Sequence, residues 1–251
     1  MDTSRLLTES GTGVTTIFFN YPEKLNALSP ETVEQLLKTL RELEEDREIR
    51  IIVLRGKGGN FSAGADLKAL EKFTPTEALE FHRKMNEIIR LMNRSGKIFI
   101  AAMEGYAMGG AFELALSTDI RICTEDSTLG QPEINVGLNA GAGGNAVLPN
   151  IVGRSNALYL VLTGKKISAH RAYELGIVQV ISKKGQLDKD VEYLVSTILE
   201  HPHSTVEMSK HAVNSAFKSS SECALEVEAL TFALLHGEGE VKNSIRKFLK
   251  K

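Results

Sequence analysis

Two carboxylates in this chain sit among its most apolar and most glycine-rich residues. Glu113 lies in "GGAFELALS", and Glu133 follows twenty positions later in "GQPEINVG". Phe112, Leu114, Ala115 and Leu116 flank the first in a segment that is apolar nearly all round, the pattern of a buried helix. A buried carboxylate must be paired, hydrogen-bonded, or raised in pKa for proton transfer. An ion pair stays open for Glu113, and "QPEI" after "LG" also reads as the start of a solvated loop. Two glycine elements shift the balance. "NFSAGADLKAL" (60–70) places Gly64 where the backbone can turn sharply and expose the Ala65 N–H. Gly109-Gly110 stands at a strand-to-helix junction, where the first N–H groups lack intrahelical partners and carry the positive end of the dipole. Taken singly, each is an ordinary turn. Converging, the Ala65 and Gly110 amides would stabilise a developing oxyanion. With two glutamates after Gly110, the set points to acid–base work on a substrate whose carbonyl sits between the amides.

Positioning such groups takes alternating strands and helices. "VTTIFFN" (14–20) reads as a strand. "SPETVEQLLKTLRELEEDREI" repeats apolar residues at helical spacing behind a Ser29-Pro30 cap. "RIIVLRGKG" is a short apolar run ended by glycines, the mark of a strand covered on both faces. A helix from Pro75 to Asn93 leads into "KIFIAAMEGYA", read as one buried strand. The helix "GGAFELALS", the strand "DIRICT" and a loop, "TLGQPEINVGLNAGAGGNA", follow. The alternation predicts an α/β fold of β-β-α or β-α-β units. From Leu187 onward the chain reads as helical, giving a body over 1–186 and a helical region over 187–251 suited to oligomerisation.

Composition narrows the function classes. With 30 Lys and Arg against 32 Asp and Glu among 251 residues, no global field favours nucleic acid or an anionic membrane. Cys123 and Cys223 are too far apart for a CxxC pair and read as free thiols of a reducing compartment. No run approaches the roughly 18 apolar residues of a membrane span, so a soluble cytoplasmic protein is the default expectation. "GAGGN" and "RGKGG" fit neither GxGxxG nor GxxxxGK[ST], against a nucleotide loop. The six histidines, His201-x-His203 included, lack companion ligands and read as surface residues. Asp66 and Asp119 read as cap or loop hydrogen-bonders. The basic tail 242–251 reads as a helix C-terminus meeting its dipole, with contact to a ligand phosphate as the alternative.

In order, "NYPEKLNAL", "FSAGADL", "GYAMGGAFELALSTDIR", "LGQPEINVG" and "VLTGKKISAHRAYELGIV" resemble the enoyl-CoA hydratase/isomerase superfamily, the crotonases, over roughly Asn20 to Val180. The resemblance implies a spiral of β-β-α turns, C-terminal helices that build a homotrimer or a hexamer as a dimer of trimers, and an acyl-CoA thioester substrate. It places the oxyanion amides at Ala65 and Gly110 and the hydratase glutamates at Glu113 and Glu133. It assigns substrate binding to Lys24, Leu25, Ala27, Ala63, Ala65, Asp66, Leu67, Lys68, Gly109 and Gly110. No metal and no redox cofactor is implied, coenzyme A being part of the substrate. Keeping both glutamates favours a 2-enoyl-CoA hydratase. A Δ3,Δ2-enoyl-CoA isomerase and a catalytically weak acyl-CoA-binding subunit are the alternatives. The chain departs from the usual pattern at Asn139-Ala140, at Asn145-Ala146-Val147 and at Ile98, where relatives carry proline.

Overall fold

The computed structural model describes residues 4–250. An N-terminal hairpin, β1 (Leu6–Gly11) and β2 (Val14–Phe19), precedes helix α1 (Pro30–Glu45) and strand β3 (Ile51–Gly56). The Ser29 hydroxyl caps α1 by accepting from the Thr32 amide, with Pro30 at the first helical position, as the sequence predicts. A short α2 (Leu67–Leu70) and the long α3 (Pro75–Arg94) follow, α3 opened by a Thr74–Glu77 capping box. Next come β4 (Ile98–Met103), β5 (Tyr106–Met108), α4 (Gly109–Leu116), β6 (Ile120–Thr124) and β7 (Thr128–Gly130). The body closes with α5 (Gly144–Thr163), β8 (Ile167–Ser168), α6 (Ala169–Glu174) and β9 (Val180–Ser182). Helices α7 (Leu187–Leu199), α8 (His203–Ala216), α9 (Ser221–His236) and α10 (Gly239–Phe248) complete the chain.

The strands form two sheets. The larger runs β1-β2-β3-β4-β6-β9, parallel apart from the β1–β2 hairpin, and the smaller runs β5-β7-β8. Each turn of the spiral gives one strand to the large sheet, then a short stretch to the small one, then a helix: β4, β5, α4; then β6, β7, α5. Isolated bridges Leu28↔Ala65 and Ser62↔Ala107 carry the small sheet back to the earlier turns. This stacking lays the Ser62–Ala65 stretch beside the β5–α4 junction.

Burial on both faces explains why Ile51–Leu54 of β3 and all of β4 are apolar. Ile52, Leu54, Phe99, Ala101 and Met103 belong to the main core with α1, α3 and α4. Ile51, Val53, Ile98, Ile100 and Ala102 pack on the opposite face under Leu187, Val191 and Val195 of α7. The first helix after residue 186 therefore covers the sheet, whereas α9 and α10 contribute no buried residue.

Two local expectations are corrected. "KIFIAAMEGYA" is two strands in different sheets, broken where Gly105 adopts φ +55°. The segment 128–146, expected as loop, holds β7, a 3₁₀ turn over Glu133–Val136 and the start of α5. α5, interrupted at Gly153, has weak amphipathicity and so carries no clear periodic signal. At the departure from proline, the Ile98 amide donates to Arg50 O at 2.9 Å, a bond proline lacks the hydrogen to make.

Candidate active site

The site grows from a close backbone crossing. Gly64 adopts φ +91°, and a Cβ there would stand 2.6 Å from Met108 O and 3.4 Å from Gly109 Cα. Glycine alone lets the two chains approach so closely. The Ser62 amide donates to Tyr106 O (2.9 Å) and the Met108 amide to Ser62 O (3.0 Å), which fixes the register. The crossing brings the Ala65 and Gly110 segments together. Among the described residues, neither the Ala65 nor the Gly110 N–H donates to another group of the chain. Gly110 lies in the first turn of α4, whose Met108 cap offers no side-chain acceptor, so its amide stays available at the positive end of the dipole.

Glu113, one turn into α4, is 1% exposed. Its Oε1 accepts from the Gly144 amide (2.8 Å) and the Ala142 amide (3.0 Å). An ion pair, left open by the sequence, is not what satisfies it. Burial pushes its pKa up to about 7 against the opposing pull of the Gly144 amide, and the neighbouring Glu133 charge pushes the same way. Glu133 opens the 3₁₀ turn after β7. Both its carboxylate oxygens are enclosed without a hydrogen-bond partner among the described residues, and burial raises its pKa as well. A Cβ on Gly109 would lie 3.0 Å from Glu133 Oε1, and one on Gly110 would lie 3.9 Å from Glu113 Oε2. Two carboxylates thus face one helix start that presents a free amide.

The proposed binding segments are zipped to this centre. The Ala63 amide donates to Leu25 O (2.8 Å), Leu28 to Gly64 O (2.8 Å) and Asp66 to Leu28 O (3.1 Å). Lys24 Nζ stands 3.8 Å from Asp66 Oδ2, and Asp66 also caps α2 through the Lys68 amide. Leu25, Ala63, Leu67 and Lys68 are exposed along this strip, whereas the Ala27 side chain is enclosed. Asn26, which sequence reasoning missed, is the strut. Buried and at φ +56°, it accepts from the Tyr21 amide and donates to Lys57 O and Asn60 O.

Other missed residues surround the carboxylates. Gln131 is 2% exposed with neither amide atom partnered, and a Cβ on Gly144 would collide with its Nε2. In sequence it stands two residues before Glu133, but Pro132 between them is not extended (φ −85°, ψ 13°), so strand alternation gave no signal for it. His82, read as a surface residue, is half-buried with an enclosed Nδ1. Asp119 behaves as the hydrogen-bonder expected: its Oδ2 accepts from the Phe99 amide and from Lys210 Nζ, each at 2.8 Å. That pair stands in a separate cavity of about 870 Å³ between α8 and the body, away from Glu113 and Glu133. Among the described residues no cluster of histidine, cysteine and carboxylate could hold a metal, and no helix is long and apolar enough to cross a membrane.

The enoyl-CoA hydratase/isomerase family profile matches residues 9–251. The chain belongs to the enoyl-CoA hydratase/isomerase family. It is 29% identical to the short-chain-enoyl-CoA hydratase of Clostridium acetobutylicum, across 100% of this chain and 97% of that one. It is 30% identical to the crotonyl-CoA hydratase of Syntrophomonas wolfei, across 94% and 91%. Its backbone superposes on the crystal structure of enoyl-CoA hydratase from Thermoplasma volcanium with a TM-score of 0.92 at 40% identity, covering 97% of this chain and 96% of that one. For an enoyl-CoA hydratase/isomerase family member, the two-sheet spiral and its C-terminal helices are the crotonase fold that the sequence motifs implied.

Proposed function

We propose that this chain adds water across the 2,3 double bond of a 2-enoyl-CoA thioester to give the 3-hydroxyacyl-CoA. The observation that carries the reading is the pair of buried carboxylates facing the Gly109–Gly110 helix start. The names of the relatives, both hydratases over nearly the whole chain, support it.

In this reading the thioester oxygen lies between the Ala65 and Gly110 amides. Glu113, as carboxylate, accepts a hydrogen bond from a water and aims its oxygen at C3. As the O–C3 bond forms, negative charge gathers on the thioester oxygen, where each preorganised N–H contributes about 2.7–4 kcal/mol. Glu133 passes a proton to C2 and is replenished by the proton the water releases, so the two groups can share one water. The Lys24–Ala27 and Ala63–Lys68 strip holds the coenzyme A portion, which enters with the substrate. The reaction calls for no resident metal or redox group.

We also propose a homotrimer or a dimer of trimers, supported by the apolar side chains of α9 and α10, and a cytoplasmic enzyme, supported by the near-neutral charge and free thiols. Spectrophotometric loss of the crotonyl-CoA double bond by purified protein tests the activity. Faster isomerisation of 3-enoyl-CoA than hydration of 2-enoyl-CoA would assign the isomerase instead, and binding without turnover would assign an acyl-CoA-binding subunit.

A further inference from the structure

We propose that His82 is a positioning residue: its ring seats the 139–144 loop so that the Ala142 and Gly144 amides meet Glu113. The proposal rests on reading Glu113 as the group that holds the water, but one of its tests does not depend on turnover.

The contact is close and directional. A Cβ built on Gly141 would stand 2.7 Å from both Cε1 and Nδ1 of His82 and 3.1 Å from Nε2, so the ring occupies the space that a side chain at position 141 would need. The next residue supplies one amide to Glu113 Oε1 and Gly144 supplies the other. Seven positions along α3, on the same helix face, Ile89 Cδ1 stands 3.0 Å from where a Cβ on Gly143 would lie. α3 therefore meets the loop at two points that bracket the Ala142 amide.

The ring acts by shape. It stands edge-on to buried Phe81 (centroids 5.4 Å apart, planes at 82°), and Phe81 in turn packs on Phe73 at 5.8 Å. Nδ1 has no hydrogen-bond partner among the described residues, so packing and not a polar bond sets the ring's place. Burial lowers the His82 pKa and keeps the imidazole neutral, which places no cation behind the loop. Glu133 is the titratable group whose charge bears on Glu113. If the loop retreats, the two amides that favour the Glu113 carboxylate move away and less of it is ionised at neutral pH.

The experiment compares wild type with His82→Ala, His82→Phe, Gly141→Ala and the double variant Gly141→Ala/His82→Ala. The Glu113 carboxyl is titrated by carbon NMR of glutamate-labelled, substrate-free protein, its resonance assigned by its loss in Glu113→Gln. Crotonyl-CoA kinetics are measured in parallel. In Gly141→Ala the new methyl collides with the imidazole, so the Glu113 midpoint rises and kcat falls about tenfold or more with KM little changed. In the double variant, removing the ring makes room for the methyl, and both quantities move back towards wild type. His82→Ala raises the midpoint, and His82→Phe, which keeps a ring of similar shape, stays near wild type. An unmoved midpoint in His82→Ala, or a double variant worse than Gly141→Ala, overturns the proposal. Damage in His82→Phe equal to that in His82→Ala places the role on the nitrogen and also overturns it. Should Gly141→Ala fail to fold, the two His82 variants decide alone. If the variants show these titration shifts but the wild-type protein does not hydrate crotonyl-CoA, the role of His82 stands and the hydratase reading falls.

Discussion

At Glu113 two amide donors favour the carboxylate, burial disfavours it, and burial wins, with the pKa up to about 7. Its folded pKa lies above the ordinary 4.5, so between those values the native state holds more proton than the unfolded chain. Stability from this group is therefore full below the ordinary carboxylate pKa and is lost as pH rises towards about 7, a loss on the order of 3 kcal/mol. Glu113→Gln removes that penalty, so its Tm advantage over wild type should be larger at about pH 8 than at about pH 5, on either side of the window. A pH-independent difference in thermal unfolding contradicts this. The same substitution should cut crotonyl-CoA hydration by roughly a hundredfold or more, while wild-type kcat/KM falls below about pH 7 as Glu113 takes up its proton. Gly110→Pro removes the helix-start donor outright and should lower kcat by orders of magnitude in a protein that still folds. Near-normal turnover would reject the amide assignment. Glu113 and Gly110 stood out in the sequence because each breaks a local pattern, a charge in an apolar helix and paired glycines where a helix begins, whereas Glu133 and Ala65 gained weight only from their order beside these two. Gln131, His82 and the amides of Ala142 and Gly144 were not legible there, because their relation to Glu113 arises only when distant segments meet.

Among the elements, capped and strongly amphipathic segments were the legible ones. α1 starts at the Ser29-Pro30 signal, and α3 ends one residue beyond the expected Asn93. β1 went unread because residues 8–11 of "LLTESG" are exposed and carry no alternation. The same lack of local signal hides the pairing of 24–28 with 63–66, which rests on Asn26. Its three hydrogen bonds bind the turn over 21–26 to the stretch 57–60, and its φ of +56° is one that asparagine tolerates better than most side chains. Asn26→Ala strands one amide and two carbonyls, at about 1–3 kcal/mol for each left buried and unsatisfied. The strip carrying Lys24 and the Ala65 amide should then loosen. The expected result is a Tm several degrees lower, together with a raised KM for crotonyl-CoA. A stable variant with unchanged KM would show that the strut is dispensable.

On the scale of the whole molecule, the helical region after residue 186 divides physically. α7 buries Leu187, Val191 and Val195 on the large sheet, and α8 is tied to the body by buried Lys210, which donates to Met92 O, Lys97 O and Asp119. α9 packs on α8 and α10 on α9, while Leu225, Leu230, Phe232, Leu234, Phe248 and Leu249 remain more than half exposed. Large apolar side chains in such number are costly in water and suited to a subunit interface. The periodicity of 187–251 showed helices but not which of them complete the core, because a helix facing a sheet and one facing a neighbouring subunit carry the same apolar stripe. Removing everything from Leu187 would strip the sheet and test folding, not assembly. Ending the chain at Ser219 instead keeps α7 and α8 and removes α9 and α10. The full-length protein is expected to scatter light as a trimer or hexamer, and the shortened one to remain folded by circular dichroism yet run as a monomer. A shortened protein that is still a defined trimer would place the interface on the body and refute the assembly role of α9 and α10.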